Sequence, residues 1–176
     1  MKAIFLGIAL LAIALLAIGG CASNTPPEAA RIHGIAATDA PAIDACWRKV
    51  LTSPQHQALK ARMGDHADSP TAAMKTNPQK ATPQEAALLR SLQQDYFAPC
   101  RKMALESAAK VHPTIAAILS DSYARAGANT TRLANREITW GEYVSENQAI
   151  VTHRRAELLA AGESMQRDLQ RASPPR

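Results

Sequence analysis

The sequence predicts an all-α domain built as a small bundle of four to five helices, and three observations carry that prediction. Past residue 20 the chain holds 31 alanines among 156 residues, while Gly, Val, Thr and aromatic residues are scarce, which disfavours an all-β fold. Large apolar residues recur at steps near 3.6 along most of the remainder. Four segments open on residues that start helices, at Asp39, Ser53, Thr82 and Thr139. Only 35 apolar residues larger than Ala, counting three Cys, follow residue 20, enough for one modest core.

Taken in order, Asp39-Ala40-Pro41 reads as the entrance to a first helix, with Ile43, Cys46, Trp47 and Val50 on one face. Ser53-Pro54 restarts a short helix, Ser as N-cap and Pro at its first position, carrying Leu59 and Met63. From Gly64 to Ala81 the chain is rich in turn residues and reads as a long loop. Thr82-Pro83-Gln84-Glu85 is a capping box, in which the Thr hydroxyl and the Glu carboxylate satisfy free amides at a helix start. Leu89, Leu92, Tyr96, Cys100 and Met103 follow on one face, and Pro99 should kink that helix, because its ring removes a bond to the Asp95 carbonyl. His112-Pro113 separates it from the next helix, which carries Ile115, Ile118, Leu119, Ser122, Ala126 and Leu133 across a weakening Gly127. Thr139-Trp140-Gly141-Glu142 is a second capping box. Val144, Val151, Leu158 and Met165 then recur every seven residues, and beyond Gly162 a fraying, solvated end is expected. Met165 and Leu169 could form a narrow docking stripe there, or lie on a solvated helix end.

The front of the chain is of a different kind. After Lys2 come fifteen uncharged, mostly apolar residues from Ile4 to Ile18, then Gly19-Gly20-Cys21, the plan of a secretory signal. Ile18-Gly19-Gly20-Cys21 resembles the lipobox of bacterial lipoproteins. The resemblance implies diacylglycerylation of the Cys21 thiol, cleavage before Cys21 and acylation of the new amine. With Ala22 rather than Asp after the cysteine, it implies the periplasmic side of the outer membrane, or the outer face of the plasma membrane in a Gram-positive cell. An uncleaved signal anchor is the competing reading, although the apolar run is shorter than the roughly 20 residues that span a bilayer. The expected organisation is a cleaved signal over residues 1–20, a lipidated tether over 21–38, a helical periplasmic domain over 39–172 and a disordered tail over 173–176.

Setting Cys21 aside leaves Cys46 and Cys100, an even pair in an oxidising compartment, and a disulfide is the simple inference. Closing a loop of about 55 residues would stabilise the fold by roughly 4 kcal/mol in the chain-entropy model. A metal pair or a reactive thiol are the other readings; neither cysteine has a CxxC partner or a His within four residues.

Motifs for catalysis are mostly missing. The sequence holds no G-x-S-x-G, HExxH, P-loop, GxGxxG or C-x-x-C-H, and none of the five histidines has a Glu three residues before it. No enzyme activity, no cofactor and no metal are expected, with His56, Met63 and His66 as a remote copper set. Glu142 and Glu146 share a helix face, but capping and a surface position account for them. Trp140, Tyr143 and Arg154 could line a groove, or, for the two aromatics, fill core positions. Basic residues, 19 against 15 acids after residue 20, are spread as doublets rather than a stripe, so nucleic acid is not an expected partner. The membrane, through the lipid, and an envelope protein are. Leu51-Thr52-Ser53-Pro54-Gln55 is similar to the LTxxQ pattern of periplasmic helical stress chaperones and metal-responsive adaptors, which implies a holdase or stress sensor as the alternative to a non-enzymatic accessory lipoprotein.

Overall fold

The computed structural model describes residues 27–64 and 67–172. The lipobox at Ile18 to Cys21, residues 21–26 of the expected tether, His66 and residues 173–176 lie outside the described residues, as does the side chain of Leu169. Among the described residues the chain is all α: α1 Pro27–Thr52, α2 Pro54–Met63, α3 Ala72–Lys75, α4 Pro83–Ser91, α5 Ala98–Val111, α6 Pro113–Ala134 and α7 Trp140–Ala172. A wider π-helical stretch, Leu92–Phe97, joins α4 to α5, so those three pieces form one long, irregular helix.

The first helix begins earlier than the sequence suggests. Residues 27–38 are helical rather than an extended tether, and Pro41 sits inside α1 instead of opening it. The sequence signals there are start signals, but long-range partners hold the earlier turns. The Arg31 guanidinium donates to the carbonyls of Lys110 and Val111 at the end of α5, at 2.5 and 3.1 Å, and binds Glu28 on its own helix. Asp39 accepts from Lys110 Nζ at 2.9 Å. A cation over terminal carbonyls also complements the helix dipole of α5. Further along, Cys46 reaches Cys100 through a disulfide with Cα atoms 5.6 Å apart, so α1 runs antiparallel to α5.

Local caps set most of the other boundaries. Ser53 Oγ accepts from the amide of His56, and Pro54 occupies the first helical position of α2. The loop expected between Gly64 and Ala81 contains the one-turn helix α3, capped by Thr71. Thr82 and Glu85 complete the first capping box in both directions. His112 caps α6 through Nδ1, which accepts from the Thr114 amide at 3.2 Å. Helix α6 ends with bonds from Glu137 to the Arg132 carbonyl and from Arg136 to the Leu133 carbonyl, with Arg136 left-handed at φ 63°. That is the Schellman arrangement, with an Arg where Gly is usual.

Ahead of Pro99 the chain widens rather than simply bending. The Ala98 amide bonds the Gln93 carbonyl five residues back, the spacing of a π turn, and this absorbs the missing proline N–H.

The core gathers Val50, Leu59, Leu89, Leu92, Cys100, Leu133, Trp140 and Val144, with Trp47 and Phe97 packed against it. Trp140 meets Tyr143 edge-on with ring centres 5.8 Å apart. The start of α7 is held from outside the helix as well as by its cap. Trp140 and Gly141 donate their amides to the carbonyls of Gln79 and Asn77, at 2.8 and 2.9 Å. A Cβ on Gly141 would collide with the carbonyls of Lys75 and Asn77, so this close approach requires glycine.

Helices α6 and α7 run antiparallel, with Asn129 opposite Tyr143 and Asn147, and Ser122 opposite Arg154. That register carries the last turns of α7, from about Gly162, past the start of α6. There α7 is helical to Ala172, with Glu163, Ser164, Arg167 and Asp168 exposed and Met165 half-buried. Of the seven-residue row, Val144 is buried and Val151, Leu158 and Met165 are half-buried, as a helix lying on its own bundle requires. No described helix is long and apolar enough to cross a membrane.

Candidate functional site

The residues proposed from sequence as a groove divide into two environments. Trp140 is fully buried and Tyr143 is 2 % exposed, both inside the core, so as a pair they are structural. Arg154 is elsewhere. It projects from α7 toward α6, where its guanidinium lies 5.9 Å from the centre of the Tyr123 ring and its NH1 stands 3.5 Å from Ser122 Oγ.

Tyr123 is shared with a second arginine. From α5, the Arg101 guanidinium lies 5.5 Å from the Tyr123 ring centre and 5.2 Å from that of Phe97, positions in which a cation is attracted by the ring quadrupole. Helices α5 and α7 thus each send an arginine to α6, on which both of them pack. Gly127, one turn along α6 from Tyr123, leaves the room: a Cβ there would meet Gln93 Nε2 at 2.9 Å and Arg101 NH1 at 3.7 Å. The polar seam is completed by Gln93, whose Oε1 accepts from Arg101 NH1 at 3.4 Å, and by the hydroxyl of Tyr143, which is hydrogen-bonded to Thr130 and Asn147.

Electrostatically the seam is one-sided. Burial lowers the pKa of the Arg101 guanidinium, with Tyr143 and Tyr123 opposing that and Arg154 adding to it. Burial raises the Tyr123 and Tyr143 phenols, so both remain protonated and neutral at physiological pH. Neither Arg101 nor Arg154 has a carboxylate within ion-pair distance among the described residues, and Arg101 Nε is buried without a hydrogen-bond partner there. Half-buried Arg62 differs, with Glu85 3.1 Å away, and at the surface Arg31, Arg48, Arg155, Arg167 and Arg171 sit beside acids, whereas Arg90, Arg132 and Arg136 have none within ion-pair distance among the described residues.

The other sequence candidates have structural jobs. Glu142 accepts from the Thr139 amide and hydroxyl at 2.7 and 2.8 Å, completing the second capping box, and Glu146 faces Arg125 at 3.9 Å. These carboxylates serve different partners and do not form a pair. In the LTxxQ stretch, Thr52 Oγ1 donates to the Arg48 carbonyl, Ser53 caps α2 and Gln55 Nε2 stands 3.4 Å from Ser91 Oγ. His56 is buried beside that junction. Among the described residues no group of three or more His, Cys, Asp or Glu could hold a metal ion. Cys46 and Cys100, with both thiols used in the bridge, are excluded as ligands or reactive thiols.

The sequence reading missed Arg101, Tyr123 and Gln93. The signal present was small: Arg154 and Tyr143 singled out on one helix, and a Gly127 inside α6 with no turn to explain it. The chain matches no protein-family model, no curated protein and no solved structure.

Proposed function

We propose that this chain is an exported lipoprotein, lipidated at Cys21, whose helical domain acts without catalysis as an interaction module at the periplasmic face of the outer membrane. The observation that carries the export reading is the Cys46–Cys100 disulfide, since such bridges form and persist in oxidising compartments and are rare in the cytosol. It agrees with the signal-like plan of residues 1–20 and with a cysteine placed directly after Gly19-Gly20. Two or three acyl chains would give durable anchoring where one is reversible. The described domain would then stand close to the membrane, because α1 already begins at Pro27.

Mass spectrometry of the mature N-terminus tests the anchor. A diacylglyceryl group on Cys21 is expected, together with loss of both cleavage and membrane retention in Cys21→Ser. A variant still cut at the same bond and still in the membrane fraction would refute it. Cross-linking in intact cells tests the module reading by identifying an envelope protein held by the domain.

A further inference from the structure

We propose that the seam formed by Arg101, Tyr123 and Arg154 binds a small oxyanion, a single carboxylate or phosphate group. The argument begins from charge. Charged side chains are rarely buried unpaired, because taking an ion out of water costs several kcal/mol unless partners replace the lost hydration. Two arginines of this chain depart from that rule. Half-buried Arg62 has Glu85 beside it, while Arg101 and Arg154, also half-buried, converge on a neutral tyrosine with no carboxylate within ion-pair distance among the described residues.

Their hydrogen-bonding capacity is also largely unspent. A guanidinium carries five N–H donors. Arg101 makes one long bond, to Gln93 Oε1, and its buried Nε has no partner among the described residues; Arg154 makes one contact at the limit of hydrogen-bond length, to Ser122 Oγ. The rings of Phe97 and Tyr123 hold the Arg101 guanidinium in place, so little side-chain entropy remains to be lost on binding. The planar fork of an arginine matches the two oxygens of a carboxylate or phosphate, and such charge-assisted bonds are strengthened where water is partly excluded. The hydroxyl of Ser122 beside Arg154 is a neutral polar neighbour and no competing anion.

The test is thermal unfolding of the purified full-length chain in detergent, in inorganic phosphate or acetate against chloride at equal ionic strength. The melting temperature should rise and saturate with the oxyanion, giving an apparent Kd by linkage. Arg154→Gln should weaken that Kd about tenfold or more, the worth of a charge-assisted bond. Arg154→Lys, which keeps the charge and loses the fork, should weaken it less. Arg155→Gln, one residue away and paired with Asp68 on the surface, should leave it unchanged. If Arg154→Gln fails to fold, the comparison of Arg154→Lys with Arg155→Lys decides. Vesicles containing phosphatidylglycerol form a separate arm: protection from these alone makes the source a lipid headgroup, and protection by phosphate or acetate makes it a free anion. No protection in any arm, or equal protection of the native chain and both Arg154 variants, would overturn the proposal. None of these outcomes depends on whether Cys21 is lipidated.

Discussion

Cys100 and Arg101 are neighbours on α5, about 100° apart around the helix, and their two faces are held by different physics. The Cys100 face is dry and over-determined. Cys100 is 1 % exposed and bonded to α1, and beside it Leu89 and Leu92 are fully buried. The Arg101 face is polar, half-buried and short of negative charge. One side of a single helix spends apolar area and a covalent link on stability. The other presents Arg101 to the rings of Phe97 and Tyr123, with Arg154 of α7 on the same tyrosine and no carboxylate within ion-pair distance among the described residues.

The sharpest way to break that comparison is to cut the covalent link. With the two cysteines 54 positions apart in sequence, removing Cys46 and Cys100 together as alanines should lower unfolding stability by about 4 kcal/mol. Urea denaturation of oxidised and reduced protein should show the same loss. Little change would mean that the apolar face holds without its bridge.

Next in size is a pair of truncations on the two faces. Leu89→Ala should cost about 3 kcal/mol, since Leu89 is fully buried and its neighbours can close only part of the cavity. Arg101→Met should change stability by no more than about 1 kcal/mol in either direction. It removes an uncompensated half-buried charge, which favours folding, and two ring contacts, which oppose it. Equal losses from the two variants would place Arg101 in the core and remove the distinction.

The smallest effect concerns acid. For Glu142, the Thr139 amide and hydroxyl hold the carboxyl below its ordinary value of 4.5. For Glu85, burial pushes upward and is outweighed by the Thr82 amide and Arg62, so the net direction is again downward. A folded pKa below the unfolded one stabilises above the unfolded value, and the contribution is lost as pH falls through the folded value. Stability should therefore decline on acidification below about pH 4.5. The double variant Glu85→Gln, Glu142→Gln should be less stable at neutral pH and show a shallower decline in urea melts across that range. An unchanged slope would mean that other carboxylates dominate.

How much of this could be read beforehand depended on the range of the interaction. The caps at Ser53, Thr82 and Thr139 were legible because their partners lie three residues away, inside one turn of chain. Pro99 announced an irregularity, but its form as a π stretch ending at Phe97 was not legible, because the choice between a kink and a widened turn depends on what the helix packs against. Residues 27–38 look like a tether in isolation, and Arg31 and Asp39 become helix-holding residues only beside Lys110 and Val111.

The sequence by itself determined the helical class, the capped helix starts and the single even cysteine pair of the domain. Those follow from residue type, short spacing and parity, all of which are local or countable. Tertiary structure alone decided that Arg101 and Arg154 would meet at Tyr123, on three different helices, with no acid within ion-pair distance among the described residues. The meeting is set by the antiparallel register of α6 against α7 and by the space at Gly127, neither of which has a signature within a few residues of chain.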